Sequence, residues 1–217
     1  MVKQWHFNTR EEWLEGRKSY IGGSEAASIL GLNPWQTNVE LWERKTGRAP
    51  KDDLSKNPLV QYGHNAEKYL RELFKLDYPQ YEVLYADNNL WTNDNFPFAH
   101  ASLDGWLLEK GTGRRGVLEI KTTNILRSIQ REKWEHRIPD NYFIQVLHYL
   151  MVTEFDFVML KAQLRYDYDG EIFLNTKHYY IDRADVLDDI EYLEKAERQF
   201  YEYLRNDTRP PLVLPEI

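Results

Sequence analysis

GVLEIKTTN (residues 116–124) reads as a buried strand interrupted by two charged residues, Glu119 and Lys121. Successive side chains of a strand point to opposite faces, so Leu118 and Ile120 share one face and the charged pair shares the other. Burying an acid and a base is costly unless they are paired, bind a metal or face a wet cleft. The segment therefore indicates either a functional site inside the core or an edge strand with its polar face in water.

The 217 residues contain no cysteine and carry a formal net charge of −7. Without cysteine the chain cannot form disulfides, use a thiolate nucleophile or hold a cysteine-ligated zinc or iron–sulfur centre, which leaves metals with oxygen ligands. The chain start has no signal-peptide core, and no apolar run approaches the ~18 residues that span a bilayer. We expect one domain over residues 1–217, with no membrane partner, in a reducing cytoplasm.

Charge is unevenly distributed along the chain. Residues 110–137 contain eight bases against three acids, the bases being Lys110, Arg114, Arg115, Lys121, Arg127, Arg131, Lys133 and Arg137. Residues 182–207 are acidic and are typical of an amphipathic helix with a solvated face. The local basic stretch keeps a nucleic-acid partner open despite the negative net charge.

Periodicity divides the chain into helical and extended segments. Predicted helices cover TREEWLEGRKS with Thr9 as N-cap, SEAASILGL starting at Ser24, NVELWERKTG, PLVQYGHNAEKYLRELFKL, LRSIQREKW, DNYFIQVLHYLMVTE and the acidic C-terminal segment. Predicted strands cover EVLYADNNLWTN, FAHASLDGWLLEK, GVLEIKTT, FVMLKAQLRY and EIFLNTKHYYI, the first three as a meander and the last two joined by the turn DYDG. This order predicts an α/β fold, a sheet flanked by helices.

A short hairpin supplies a geometric expectation for the charged pair. Asp104 lies as far before the turn KGTGRR as Glu119 lies after it, so a simple antiparallel register places the two acids nearly opposite on one face. Lys121 shares that face. Facing carboxylates repel each other as a structural pair, whereas a divalent cation between them would turn the repulsion into ligation.

Two further polar residues border apolar helical stripes. Glu67 lies beside the stripe of Ala66, Leu70, Leu73 and Phe74, and it either joins the acidic site or pairs with Lys68 or Arg71 at the helix edge. Gln145 shares a stripe with Tyr142 and Tyr149, and it is either a satisfied core amide or a site residue.

The order of several motifs resembles a known family. SLDG and EIK, with fourteen residues between Asp104 and Glu119, resemble the PD-(D/E)XK nuclease signature, although Ser102 and Leu103 stand where the signature has proline. The chain resembles the phage alkaline exonucleases of the lambda exonuclease and YqaJ-type viral recombinase group over roughly residues 13 to 152, in the order W…R…IGGSEAASILG (from Trp13 and Arg17), YGHNAEKYL, ASLDG, LEIKTT and YFIQVLHYL.

The resemblance implies a restriction-endonuclease-like core, with a central mixed β-sheet flanked by helices, and a catalytic site. Asp104, Glu119, the Ile120 carbonyl and Glu67 would bind Mg²⁺, with Mn²⁺ as the alternative ion. Lys121 would orient the attacking water or help to deprotonate it, and Gln145 would hold the same neighbourhood.

A second site in the family binds the 5′-phosphate of the DNA end. Arg17 and Ser24 match its arginine and serine, although the GGSEAAS segment by itself would indicate an ordinary serine N-cap. Ser24 follows two glycines at a predicted helix start, where free N–H groups favour an anion. Trp35 in LNPWQT would either stack on a base or close a loop, and no role is assigned to it.

The implied function is a 5′→3′ exonuclease that degrades one strand of linear double-stranded DNA and leaves a 3′ single-stranded overhang for recombination. The implied partners are the DNA, a single-strand-annealing protein and two further copies of the chain in a homotrimer, in the bacterial host cytoplasm if the gene belongs to a phage or prophage. Two alternatives stay open: a structure- or site-specific endonuclease of the same fold, and a non-catalytic scaffold that binds DNA ends.

Overall fold

The computed structural model describes residues 1–50, 54, 56–135 and 137–214, which form two β-sheets flanked by helices. The strands are β1 (Val2–His6), β2 (Ile21–Gly22), β3 (Tyr81–Leu84), β4 (Asn89–Asn93), β5 (Ala99–Ala101), β6 (Gly105–Glu109), β7 (Arg115–Asn124), β8 (Phe157–Tyr168) and β9 (Glu171–Asp182). The helices are α1 (Arg10–Arg17), α2 (Gly23–Ile29), α3 (Asn38–Lys45), α4 (Pro58–Asp77), α5 (Ser128–Glu132), α6 (Asp140–Thr153) and α7 (Leu187–Arg205), with a 3-10 helix (Arg183–Val186) before α7. The predicted α/β class is confirmed.

The larger sheet has the order β3-β6-β7-β8-β9, and β7 is its central strand. Only β7 and β8 are parallel within it, connected through α5 and α6, so the sheet is mixed. Leu118 and Ile120 pack with Leu70 and Phe74 of α4, which leaves the opposite face of β7 for its charged pair. The edge-strand interpretation of residues 116–124 is therefore wrong.

The smaller sheet has the order β1-β4-β5-β2. The segment EVLYADNNLWTN divides into β3, which belongs to the larger sheet, and β4, which belongs to the smaller one. The segment FAHASLDGWLLEK likewise divides into β5 in the smaller sheet and β6 in the larger one. Asn88, with a left-handed φ of 50°, lies at the first crossing between the sheets. The expectation of a single meander was wrong because these polar turns move the chain from one sheet to the other.

The hairpin register agrees with the sequence-based expectation. Gly105 pairs with Leu118 across β6 and β7, so Asp104, directly before β6, faces Glu119. The β8–β9 turn also matches its sequence signal, since Asp169 and Gly170 both have positive φ, as a tight two-residue hairpin turn requires.

Helix boundaries agree closely with the sequence, with two corrections. Thr9 caps α1, its hydroxyl accepting a hydrogen bond from the Glu12 amide at 3.1 Å. The N-cap of α2 is Gly22, and Ser24 is the second residue of that helix rather than its cap. Leu73 on α4 is half-exposed instead of buried, because α4 turns that face to solvent. In the part of the chain that the structure describes, no helix has the length and apolarity needed to cross a bilayer.

The acidic helix α7 is not entirely a solvated face. Its Glu197 is fully buried and its Oε1 lies 2.7 Å from Nδ1 of His148, which is also fully buried. The other ring nitrogen of His148 lies 2.8 Å from the His100 carbonyl oxygen. Burial alone would lower the pKa of His148, but the Glu197 carboxylate outweighs burial and raises it. The pair therefore joins α7, α6 and β5 through a charged contact in the core.

This pair makes stability depend on pH. Replacing His148 with leucine leaves the Glu197 carboxylate buried without its partner, and we expect a loss of about 3–5 kcal/mol in unfolding free energy. A histidine whose pKa is raised on folding stabilises the fold below its unfolded pKa, and this contribution disappears as the pH rises through the folded pKa. Denaturant unfolding of wild type and of the double variant His148→Leu/Glu197→Leu, from pH 6 to 9, should show the wild-type advantage shrinking with pH. A constant difference would contradict the charged pair.

Candidate active site

The two charged residues of β7 point towards helix α6. Glu119 is 1% exposed, and its Oε1 lies 2.6 Å from the Lys121 Nζ. The same oxygen accepts a hydrogen bond from Gln145 Nε2 at 3.0 Å, and this amide also donates to the Tyr149 hydroxyl at 2.7 Å. Gln145 is therefore a buried amide whose partner is the acid of the central strand. Its predicted proximity to the acidic site is matched by the structure.

Asp104 is fixed against the same strand by backbone contacts. Its Oδ2 accepts a hydrogen bond from the Ile120 amide at 2.9 Å, and its own carbonyl oxygen accepts one from the Arg71 guanidinium. Arg71 is buried and stacks on Tyr85, with its guanidinium carbon 3.5 Å from the ring centroid. The α4 helix is thus connected directly to the start of β6.

Glu67 comes from the same face of α4 and is half-buried. Its nearest ionic partner is His64, with Nδ1 3.9 Å from Oε2, so the predicted pairing with Lys68 or Arg71 is not what the structure shows. Burial and the nearby Asp104 carboxylate raise the pKa of Glu67 to about 7. This acid therefore belongs electrostatically to the group around Asp104.

The carboxyl groups of Glu67, Asp104 and Glu119 interact with one another and with Lys121. Burial, followed by the charge of Asp104, raises the pKa of Glu119 to about 8, and burial also raises the pKa of Asp104. Burial alone would lower the pKa of Lys121, but the Glu119 carboxylate, together with Tyr149 and Asp104, outweighs it and the pKa is raised. Three carboxyl groups thus lie close together, with the Lys121 ammonium and the Arg71 guanidinium near them, and burial raises the pKa of each carboxyl group.

The donor set fits a hard divalent cation. Glu119 Oε2 is buried without a hydrogen-bond partner, while Oε1 is held by two donors. Carboxylate and carbonyl oxygens are the ligands that Mg²⁺ prefers, and a cation beside Oε2 would favour the ionised form of these carboxyl groups, whose pKa values burial raises. Within the described residues, no three His, Cys, Asp or Glu side chains are already grouped as a metal site, so Mg²⁺ stays a prediction.

Arg17 lies at the end of α1, half-buried between an indole and an imidazole. Its guanidinium carbon is 4.1 Å from the Trp13 ring centroid, and its Nε donates to His100 Nε2 at 2.9 Å. Across the described part of the chain, no Asp or Glu lies within ion-pair distance of Arg17. Ser24 is exposed on the first turn of α2. In the described part of the chain, the Arg17 guanidinium therefore forms no ion pair with a carboxylate.

A single cleft of about 500 Å³ joins the two predicted sites. Its walls include Glu67, Asp104 and Gln145 as well as Arg17 and Ser24. Glu119 contacts Gln145 from behind this wall, and Lys121 contacts Glu119. The structure thus places Glu67, Asp104 and Gln145 in one cleft with Arg17 and Ser24, with Glu119 and Lys121 adjacent to that cleft.

Several cleft residues were not singled out from the sequence. They are Arg10, His64, Tyr85, Asp87 and His100. Trp13, the tryptophan of the family motif, also lines the cleft one helical turn before Arg17, and His100 is a histidine between two buried alanines of a strand. Trp35, in contrast, is 74% exposed and does not line the cleft, which argues against its closing a loop.

The basic stretch does not form one surface. Arg114 pairs with Asp182 at 2.5 Å near the start of β7, and Lys121 belongs to the acidic group. Four exposed bases follow the other end of β7: Arg127, Arg131, Lys133 and Arg137. A ten-residue strand is about 30 Å long, so Arg114 at the start of β7 is far from these four bases. Only the four bases lie beyond the end of β7 that carries Lys121.

Comparison with known proteins agrees with this arrangement. The model of the YqaJ-like viral recombinase domain matches residues 12–156, a range that contains every predicted site residue from Arg17 to Gln145. The uncharacterized protein YqaJ of Bacillus subtilis (strain 168) is 31% identical over 196 residues, which are 89% of this chain and 56% of that protein. The chain therefore spans little more than half the length of this curated relative.

Solved structures show the same fold at low identity. The alkaline exonuclease LHK-Exo of Laribacter hongkongensis has a TM-score of 0.59 at 18% identity, covering 91% of this chain and 97% of that chain, and its complex with dAMP has a TM-score of 0.60 at the same identity and coverage. A phage-related exonuclease of Haemophilus somnus 129PT has a TM-score of 0.55 at 14% identity, covering 87% and 96%. The family resemblance read from the motifs is thereby confirmed, and the chain belongs to the YqaJ-like viral recombinase domain family, with a nuclease fold.

Proposed function

We propose that this protein is a Mg²⁺-dependent 5′→3′ exonuclease that degrades one strand of linear double-stranded DNA and leaves a 3′ single-stranded overhang for recombination. The observation that carries the proposal is the cleft lined by Glu67 and Asp104, with Glu119 behind it, and also by Arg17, which has no carboxylate partner within the described residues. The fold shared with an alkaline exonuclease that was crystallised with dAMP, a mononucleotide, supports a nuclease.

The acidic end of the cleft would perform the chemistry. Asp104, Glu119, the Ile120 carbonyl and Glu67 would hold Mg²⁺, which when bound offsets charge on the scissile phosphate and lowers the pKa of a bound water. Gln145 fixes one oxygen of Glu119 and leaves the other free for ligation. Lys121, whose ammonium contacts Glu119, would donate a hydrogen bond to the attacking water or to a phosphate oxygen.

The cationic end would select the DNA terminus. A terminal phosphate carries more charge than an internal diester, and an arginine presents several N–H donors to it, with the Ser24 hydroxyl as a further donor. If the 3′-oxygen is the leaving group, the next nucleotide keeps the phosphate on its 5′-oxygen. Each cleavage then regenerates the end group that Arg17 binds, which accounts for repeated removal of nucleotides from one strand.

The decisive experiment compares DNA topologies. Linear duplex labelled at the 5′ or the 3′ end, and closed circular duplex, are incubated with Mg²⁺, with Mn²⁺ and with a chelator. We expect metal-dependent release of mononucleotides from the 5′ end only and no cleavage of the circle. Nicking or linearising the circle would indicate an endonuclease, and the absence of any metal-dependent product would indicate a scaffold that binds DNA ends.

Assembly and partners are proposed by family analogy. We expect a homotrimer, which light scattering coupled to gel filtration tests by the mass of the assembly relative to the 26.1 kDa chain. A single-strand-annealing protein would be the consumer of the 3′ overhang, and the host cytoplasm would be the compartment.

Removing one carboxylate should stop cleavage without disturbing the fold. Glu119→Gln keeps the side-chain shape but removes the charge that a metal ion needs. Turnover should therefore fall by about 10³-fold or more, which lies within the roughly 10²–10⁴-fold contribution of a positioned catalytic group. Single-turnover assays measure the rate, and circular dichroism checks the fold. Duplex binding should persist, and wild-type turnover in this variant would remove Glu119 from the metal site.

The carboxyl groups of the proposed metal site should make the stability of the metal-free protein depend on pH. Glu67 and Glu119 have raised pKa values, so the folded protein holds more protons than the unfolded chain between the ordinary value of 4.5 and about 8, and its stability falls as the pH rises through this window. In the presence of chelator, the melting temperature of the wild type should therefore fall from pH 5 to pH 8 by more than the melting temperature of Glu119→Gln falls.

Mg²⁺ competes with protons for the same oxygens, so it should stabilise the wild type more at pH 8 than at pH 5. At a hundred times its dissociation constant the gain is about 2.7 kcal/mol. Equal stabilisation of wild type and Glu119→Gln at pH 8 would place the ion elsewhere.

The Arg17 side chain should create a preference for 5′-phosphorylated ends. Hydrogen bonds to charged groups contribute ~1.5–3 kcal/mol each, so Arg17→Ala should reduce the ratio of initial rates on 5′-phosphate and 5′-hydroxyl duplexes by roughly ten- to a hundredfold. Lys18→Ala is the matched control, because Lys18 is the next residue, is exposed and pairs with Glu15. An equal loss on both ends in Arg17→Ala would argue against a phosphate pocket.

A further inference from the structure

His100 occupies an unusual place in the candidate site. It is 2% exposed in β5, and its ring lies between two groups that belong to different elements. Its Nε2 accepts the hydrogen bond from Arg17 Nε at 2.9 Å, and its Nδ1 lies 3.1 Å from the Ile21 carbonyl oxygen. The imidazole therefore connects the end of α1 to β2.

The two contacts determine the protonation state of the ring. Arginine Nε can only donate, so His100 Nε2 must carry a lone pair, and the single ring proton must be on Nδ1, which donates it to Ile21. Burial, with the neighbouring Arg17 charge, lowers the pKa of His100 to about 3, in agreement with a neutral ring. His100 is thus a fixed acceptor for the guanidinium.

The ring also packs against the segment that leads to Ser24. His100 is the register partner of Gly22 in the parallel pairing of β2 and β5. A Cβ atom at Gly22 would lie 2.5 Å from His100 Cε1, so the ring occupies the space that any other residue would need. The His100 carbonyl is itself held by His148 at 2.8 Å.

Arg17 is consequently fixed on two sides. Trp13 covers one face of the guanidinium, and His100 occupies its Nε–H. Among the described residues, no hydrogen-bond partner is found for the Nη atoms, and the side chain lines the cleft. The terminal N–H groups are left for a ligand.

We propose that His100 is a positioning residue, which orients Arg17 towards the 5′-phosphate and sets its distance from the segment that carries Ser24. The inference rests on the proposed phosphate pocket. His100 does not touch the DNA in this arrangement. It acts through the guanidinium, whose Nε it holds so that the Nη pair faces the terminal phosphate.

Two amide variants separate the two hydrogen bonds of the ring. A glutamine amide reaches the position of Nε2 and can accept from Arg17, whereas an asparagine amide reaches only the position of Nδ1 and can still donate to Ile21. His100→Gln should keep most of the rate ratio between 5′-phosphate and 5′-hydroxyl duplexes. His100→Asn and His100→Leu should lower that ratio about tenfold or more, the effect of losing one hydrogen bond to a charged group.

The ratio of kcat/KM values is measured on matched duplexes, and it cancels any difference in the fraction of folded enzyme. The double variant Arg17→Ala/His100→Asn should have no lower ratio than Arg17→Ala, because His100 acts only through Arg17. Binding of both duplexes in a Glu119→Gln background gives a second readout that does not depend on cleavage, and the phosphate preference in binding should follow the same order.

The outcomes separate this inference from the function on which it rests. If Arg17→Ala lowers the ratio while His100→Asn keeps the wild-type value, the phosphate pocket stands and the positioning by His100 is refuted. A ratio in His100→Gln as low as in His100→Asn also refutes it, since the acceptor would then be irrelevant. If Arg17→Ala itself leaves the ratio unchanged, the pocket fails, and the inference fails with it.

Discussion

The buried contact between Glu119 and Lys121 on the central strand is the constraint around which the site is built. A carboxylate and an ammonium removed from water repay their desolvation only with good geometry and further hydrogen bonds. The 2.6 Å ion pair supplies the first, and the Gln145 amide supplies the second. Even so, Glu119 keeps one oxygen without a partner. A core arranged purely for stability would have apolar side chains here, so the residual cost supports the catalytic role proposed for Glu119.

Strand order and connection determine which groups meet at that pair. Because β7 and β8 are parallel, the chain must cross over between them, and the crossover helix α6 carries Gln145 and Tyr149 against the charged face of β7. The β6–β7 hairpin fixes Asp104 opposite Glu119 from the other side. Apolar residues on the reverse face of β7 hold α4, which contributes Glu67. The acids are therefore far apart in sequence and close in space for reasons of topology.

Local rules predicted the parts of this site that depend on short-range geometry. Alternation placed Glu119 and Lys121 on one face, and equal distances from a turn placed Asp104 opposite Glu119. The helical stripe of α6 identified Gln145 as a buried amide in need of a partner. Each inference used residues within one strand, hairpin or helix, where period and register are fixed by backbone geometry.

Most of the features that were missed depend on tertiary contacts between elements far apart in the sequence. The two strand-forming runs had the alternation of single strands, and nothing in their composition showed that each divides between two sheets. The acid of the Glu197–His148 pair lies on the apolar stripe of α7 with Leu193 and Phe200, but the acidic composition of the segment was interpreted as a solvated face, and its partner His148 lies on another helix. His100 likewise gains its contact with Arg17 across 83 positions of sequence. The resemblance to a family supplied Arg17 and Ser24, since the serine alone is typical of an N-cap that the structure assigns to Gly22.

Within the described residues, the carboxylates and the Arg17 guanidinium that line the cleft form no ion pairs with each other. Carboxyl groups gather around Asp104, and Arg17 lines the same space, yet no ion pair joins them in the described residues. Neutral groups, the Gln145 amide and the Tyr149 hydroxyl, line the cleft together with the charged ones, and a neutral His100 takes the Nε–H of Arg17 without taking its charge. A carboxylate in the place of His100 would pair with the guanidinium and remove its attraction for an anion. If the cleft binds a metal ion at its acidic end and the terminal phosphate of DNA at Arg17, as proposed, a neutral His100 leaves the charge of the guanidinium available for that phosphate.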